Sequence, residues 1–303
     1  MTTDTAVAPT RTPVKETPFT HSILEVLDQL RKSGPMQTIV FPPYPELLRR
    51  LQEALAEEEP DLNEVSRIAS SDVAMSMALM KAANSPLYAV GQPVQTIGQA
   101  MNILGLDNTA AVMTGFLAQR AVKISSAQLA RFWERATKRA VAMAFMARKM
   151  PGMSTDIAYT FGLFSHIGIA VMAQSIKGYT GTLVEALARI DRSFVETENA
   201  NHRTDHAVVG ALVARTWRMH PQVVASIRLH HDLSSLGDSM IDSEVQTLLA
   251  AGLVADQLMR EHEGIASDAD WVKYSQPALD WLQISLDDLA HWRDELNELL
   301  ASI

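Results

Sequence analysis

The chain has 303 residues, 47% of them hydrophobic and 20% charged, with no cysteine and a formal net charge of −9. That length suffices for one large core or two smaller ones, and the missing cysteines exclude a disulfide scaffold, a zinc ribbon and a thiol nucleophile. The acidic balance argues against broad electrostatic binding to nucleic acid or to an anionic membrane surface.

Residues 1–20 are rich in Thr and Pro, lack the apolar run of a secretory signal, and read as a flexible tail. No later segment offers about 18 uninterrupted apolar residues, so a cytoplasmic location is expected. Helical periodicity then dominates. Ile23, Leu27 and Leu30 share one face of a first helix that Gly34-Pro35 ends. After the rigid Phe41-Pro42-Pro43-Tyr44-Pro45 cluster, Leu47, Leu48, Leu51 and Leu55 form a second stripe. Asp61 reads as an N-cap with Glu64 completing a capping box, and Ser71 or Asp72 caps a helix through Met75, Leu79 and Met80. Short helices are expected over 96–104 and 108–121.

A second region opens near Ser125. The pattern predicts helices over 128–150, 157–175, 182–192, 205–217, 221–231 and 243–262, with a polar loop over 232–242. Gly162 and Gly168 would let neighbouring helices approach closely. Two short helices follow in the tail, the last capped at Ser285, and Trp271, Trp281 and Trp292 are placed to anchor it. Most of the Met-rich positions (Met75, Met77, Met80, Met143, Met146, Met150) sit at core spacing. Strand and hairpin signals are nearly missing, so the fold class is all-α.

Four motifs in order, "FPPYPELLRRL" with "DLNEVSRIASSDVAMSMALMKAANSPLY", "QPVQTIGQAMNILGLDNTAAV", "FWERATKRAVAMAFMAR" and "DHAVVGALVARTWRMHPQVVASIRLHH", resemble the HDOD family of the HD-domain superfamily over roughly residues 34–260. The resemblance implies a two-lobed helical fold whose C-terminal lobe is related to HD phosphohydrolases, and a bacterial signalling or regulatory context. It divides the chain into the tail (1–20), an N-terminal lobe (21–124), an HD-like lobe (125–262) and a helical extension (263–303).

HD hydrolases hold metal with a His, a His-Asp doublet and a late Asp, because imidazole and carboxylate suit a divalent ion that acidifies bound water. By this resemblance the first-His position is Arg135, and Ser165-His166 stand where the doublet belongs. A cation, a hydroxyl and an imidazole replace the expected ligands. Asp205, His206, His230, His231 and, at the late-carboxylate position, Asp256 remain as a relic pocket, with His202 four residues before His206. Arg135 is expected to pair with Asp205 or Asp256. The bland alternatives are a helix-start residue for His206 and a polar helix end for His230-His231. The sequence therefore reads as a non-enzymatic regulatory protein that works through protein contacts, with no catalytic residue, metal or cofactor and with room for a nucleotide-like ligand. The alternative is a divergent metal-dependent phosphohydrolase acting on nucleotides or cyclic dinucleotides.

Overall fold

The computed structural model describes residues 16–89, 91–124, 126–189 and 191–301. Among them every long element is a helix, and no strand occurs. The first part of the chain contributes α1 (Pro18–Leu30), α2 (Glu46–Ala56), α3 (Leu62–Ser70), α4 (Val73–Ala83) and α5 (Ile97–Ala121). The second contributes α6 (Phe132–Lys149), α7 (Thr155–Phe164), α8 (Ile167–Ser175), α9 (Tyr179–Ala188), α10 (Phe194–His202), α11 (His206–Thr216), α12 (Pro221–Leu229) and α13 (Ser243–His262). The extension supplies α14 (Ala269–Leu282) and α15 (Leu286–Ala301).

Local chemistry explains most boundaries. Thr17 caps α1 and starts it before residue 20, so Pro18–Thr20 are helical and Thr20 is buried rather than part of a tail. Residues 1–15, the rest of the expected tail, lie outside the described residues. Asp61 accepts from the amides of Asn63 and Glu64 at 3.0 Å and caps α3. The capping box does not close, because the Glu64 carboxylate turns to Arg50 and Arg67. Asp72, not Ser71, caps α4. Ser285 caps α15 as expected, and the Asp288 carboxylate in turn accepts from the Ser285 amide. The two short helices expected over 96–121 are the arms of α5, bent where Gly105 takes φ 74°, a conformation in which a Cβ is costly.

Two departures matter for the site. The single helix expected over 157–175 breaks at Ser165-His166 into α7 and α8, so His166 becomes the residue that leads α8. The stretch Thr155–Ser175 is long and apolar enough to cross a membrane by length and composition, yet most of it is buried in the core, and apolarity alone does not reveal the break. Helix α10 was not anticipated. Its apolar pattern is weak, although Ser193 and Glu196 form a full capping box at its start.

One continuous core joins the lobes. Helix α1 packs on α11 and α12 of the HD-like lobe, with Arg31 bonded to Thr216 at 3.0 Å and Leu27 fully buried. The proline cluster at 41–45 closes over Trp217, whose indole N–H donates to the Pro42 carbonyl at 3.3 Å. In the extension, Trp281 donates to Thr247 at 3.1 Å and Trp292 meets Phe145 edge-on, which anchors α14 and α15 to α13 and α6. Met75, Met143 and Met146 are core residues, while Met77 is exposed.

Candidate functional site

Helix α8 can reach α11 only because position 168 is glycine. A Cβ there would stand 2.0 Å from the His206 carbonyl oxygen and 2.8 Å from the Gly210 nitrogen. This contact sets the N-terminal end of α8, carrying His166, against that of α11, carrying His206. Their rings stack at 5.2 Å between centroids, inclined by 18°. The C-terminal end of α12 brings His230 and His231 to the same point.

One ring nitrogen from each of His166, His206, His230 and His231 falls within 4.8 Å of all the others. His206 Nε2 lies 3.2 Å from both His230 Nε2 and His231 Nε2. The outward nitrogens are all engaged. His206 Nδ1 meets the buried Glu198 carboxylate at 2.7 Å, and His231 Nδ1 meets Asp270 at 2.6 Å. His230 Nδ1 donates to the Ile227 carbonyl at 2.8 Å, and His166 Nδ1 contacts the Ser165 hydroxyl at 2.9 Å. Glu198 is held in turn by the Tyr179 hydroxyl and the His206 amide.

The electrostatics differ around the ring. Burial, then the charge of Arg139, holds His166 well below the ordinary imidazole pKa. Burial, with the neighbouring histidines, does the same to His230. For His231 burial acts in the same direction, but the hydrogen bond and charge of Asp270 outweigh it and raise the pKa.

The other sequence-predicted residues divide. Ser165 is buried and orients His166. Asp205 caps α11 through the Val208 amide at 2.9 Å and accepts from Asn199, so it serves the backbone. Arg135 pairs with neither Asp205 nor Asp256. Its partner is Glu263 at 3.0 Å, and Asp256 is taken by Arg139 at 2.5 Å. The reason is register: Arg135 and Arg139 lie one turn apart on α6, which faces Asp256 within α13 and Glu263 just past that helix's C-terminal end. His202 bonds Thr182 at 2.8 Å and takes no part in the cluster.

The residues that the sequence reading missed are Glu198, Asp270 and Arg139. The capping box of α10 signals the helix that carries Glu198, and Asp270 follows the α14 N-cap Asp268, but nothing local says that either faces a histidine.

A cavity of about 380 Å³ opens beside His231 and Asp270. Its wall carries Asp191, Glu196, Asp205, Asp232 and Asp270, set against Arg192, Arg228 and Lys273.

The HD superfamily implies a metal at this place, and the donor set tests the fit. Four imidazoles suit a single ion of the zinc, nickel or copper type. They do not suit a pair of ions bridged by a carboxylate, since all four donors are imidazoles and Asp256 is bound to Arg139. A bound ion would supply charge and Lewis acidity at the four ring nitrogens, and this chain's own groups orient those rings.

Comparison with known proteins agrees with the fold. An HDOD domain protein of unknown function from Geobacter sulfurreducens superposes with a TM-score of 0.69 at 18% identity, covering 93% of this chain and 97% of that one. A candidate metal-dependent phosphohydrolase of Shewanella amazonensis SB2B gives 0.63 at 22% identity, covering 94% and 99%. An uncharacterized protein of Treponema pallidum (strain Nichols) is 25% identical over 202 residues, 64% of this chain, which spans only 38% of that relative's length. The HDOD domain model matches residues 41–233, well over half of the sequence. With its all-helical architecture and the paired histidines at the end of α12, this chain belongs to the HDOD domain family.

Proposed function

We propose that this chain is a regulatory HDOD module that acts through protein–protein contacts and does not hydrolyse phosphoesters. The observation that carries the reading is that, among the described residues, the cluster consists of four imidazoles and no carboxylate. Hydrolysis in this superfamily requires a carboxylate that bridges or positions the ions and their hydroxide. Here Asp256 is neutralised by Arg139, and a second cation, Arg135, stands one turn away with Glu263. The cavity beside His231 gives a small ligand of mixed charge a place to bias the module.

The test is turnover. Purified full chain with added manganese or iron is assayed against nucleotides, cyclic dinucleotides and a generic phosphodiester. The expected result is no hydrolysis above the metal-only background. Turnover that Asp256→Ala abolishes would overturn the reading in favour of a divergent phosphohydrolase.

A further inference from the structure

The three ring nitrogens at 3.2 Å pose a problem that hydrogen bonding within the protein does not solve. A backbone carbonyl only accepts, so His230 Nδ1 carries its proton, and Nε2 of a neutral His230 is a bare lone pair. The Glu198 and Asp270 carboxylates likewise keep the protons of His206 and His231 on Nδ1. With all three rings neutral, His206 Nε2 faces two other Nε2 lone pairs at once. One proton shared between a single pair of rings leaves the second pair opposed. A cation in the centre satisfies every ring together.

The dimensions agree. Metal–imidazole bonds of about 2.0–2.1 Å in a tetrahedron give nitrogen–nitrogen edges of about 3.3–3.4 Å. Two edges are already 3.2 Å, and all four ring nitrogens, that of His166 included, lie within 4.8 Å of one another. Outer partners that orient a ligating imidazole are carboxylates and carbonyls, and three of the four rings have one. The cavity beside His231, with five carboxylates against three cations on its wall, supplies a path for a cation from solvent.

We infer that His166, His206, His230 and His231 form a mononuclear site for a divalent transition metal of the zinc type, oriented by Glu198, Ile227, Asp270 and Ser165. The site is all-imidazole and differs from a hydrolytic pair of ions. One of its orienting groups, Asp270, lies beyond residues 41–233, so occupancy ties the extension helix α14 to the family module.

The experiment uses the full chain stripped with a chelator, titrated with zinc and with cobalt, desalted, and analysed for bound metal and for cobalt ligand-field absorption. The expected outcome is about one ion per chain, with the strong visible bands of low-coordinate, nitrogen-bound cobalt. His206→Ala and His231→Gln should each abolish retention, and because His206 is buried, the half-buried His231 guards against simple misfolding. Unfolding midpoints of the metal-free variants confirm that they fold. Asp270→Asn should keep the stoichiometry and weaken affinity about 10–100-fold. Asp256→Ala should leave the stoichiometry unchanged, because Asp256 is bound to Arg139 and not to the ring. No retained ion, or retention that survives His231→Gln in a folded variant, would overturn the inference and leave the regulatory reading standing. Turnover by the metal-loaded chain would instead overturn that reading and not this one.

Discussion

Replacing Gly168 with alanine strikes the contact that assembles the site. The added methyl would sit 2.0 Å from the His206 carbonyl oxygen, where real Cβ atoms keep at least 3.0 Å, and 2.8 Å from the Gly210 nitrogen. Both obstacles are helix backbone, so no side chain can swing aside. Helix α8 must retreat from α11 by about 1 Å, the difference between the two distances. Overpacking of this kind costs about 1–3 kcal/mol, and backbone obstruction places this case at or above the upper end. A metal site tolerates about 0.2 Å in its bond lengths, so the same retreat removes His166 from the ring. Two measurements follow: the denaturant midpoint of the metal-free chain, and cobalt affinity with its spectrum. The variant is expected to unfold at lower denaturant and to give a weakened, altered cobalt spectrum. An unchanged midpoint together with an unchanged spectrum would refute the claim that the α8–α11 contact positions the cluster.

The pH dependence of the metal-free protein follows from the same ring. His166 and His230 have folded pKa values below the ordinary 6.5, so the unfolded chain binds more protons as pH falls below 6.5 and stability declines there. His231 is raised, so its contribution is complete below 6.5 and is lost as pH rises through its folded pKa. Together they place a maximum near pH 6.5 in the cluster's contribution. Comparing denaturation midpoints from acid to mildly alkaline pH, Asp270→Asn should remove the decline on the alkaline side, and an identical profile would exclude the His231–Asp270 link. Arg135→Ala leaves the nearly buried Glu263 carboxylate with only the more distant Arg131, 3.7 Å away, and should cost about 1–3 kcal/mol in chemical denaturation. The same variant should leave metal stoichiometry unaltered; lost metal binding with intact stability would return Arg135 to the site.

Helices with a wide apolar stripe and a clear cap were legible in the sequence, and α13 emerged with the bounds 243–262 that its periodicity implied. The break at Ser165-His166 was not, because both sides are apolar and the flanking Gly162 and Gly168 read as close-packing positions and not as a helix end; only packing against α11 makes the turn useful. The histidines were visible as residue types, and their convergence depends on Gly168 and on three helix ends meeting. Arg135 was misassigned for a related reason. Sequence placed a cation near two acids on other helices, and the α6–α13 register that decides between Asp256 and Glu263 is a tertiary quantity. Glu198 and Asp270 lie on helices whose own patterns say nothing about what their carboxylates meet.

The match to the family ends at residue 233, before α13 begins. Yet Val245, Leu248, Leu249, Val254 and Leu258 of that helix are almost wholly enclosed, and α13 lies against α6, α7 and α12. A piece cut at 233 would turn the inner faces of those helices toward water and invite aggregation. At the opposite end, losing α1 would uncover α11 and α12. Recombination or domain grafting that respects only the matched boundaries would thus transplant a recognisable sequence without a self-sufficient core. The heritable unit of this architecture reaches beyond its sequence signature on both flanks.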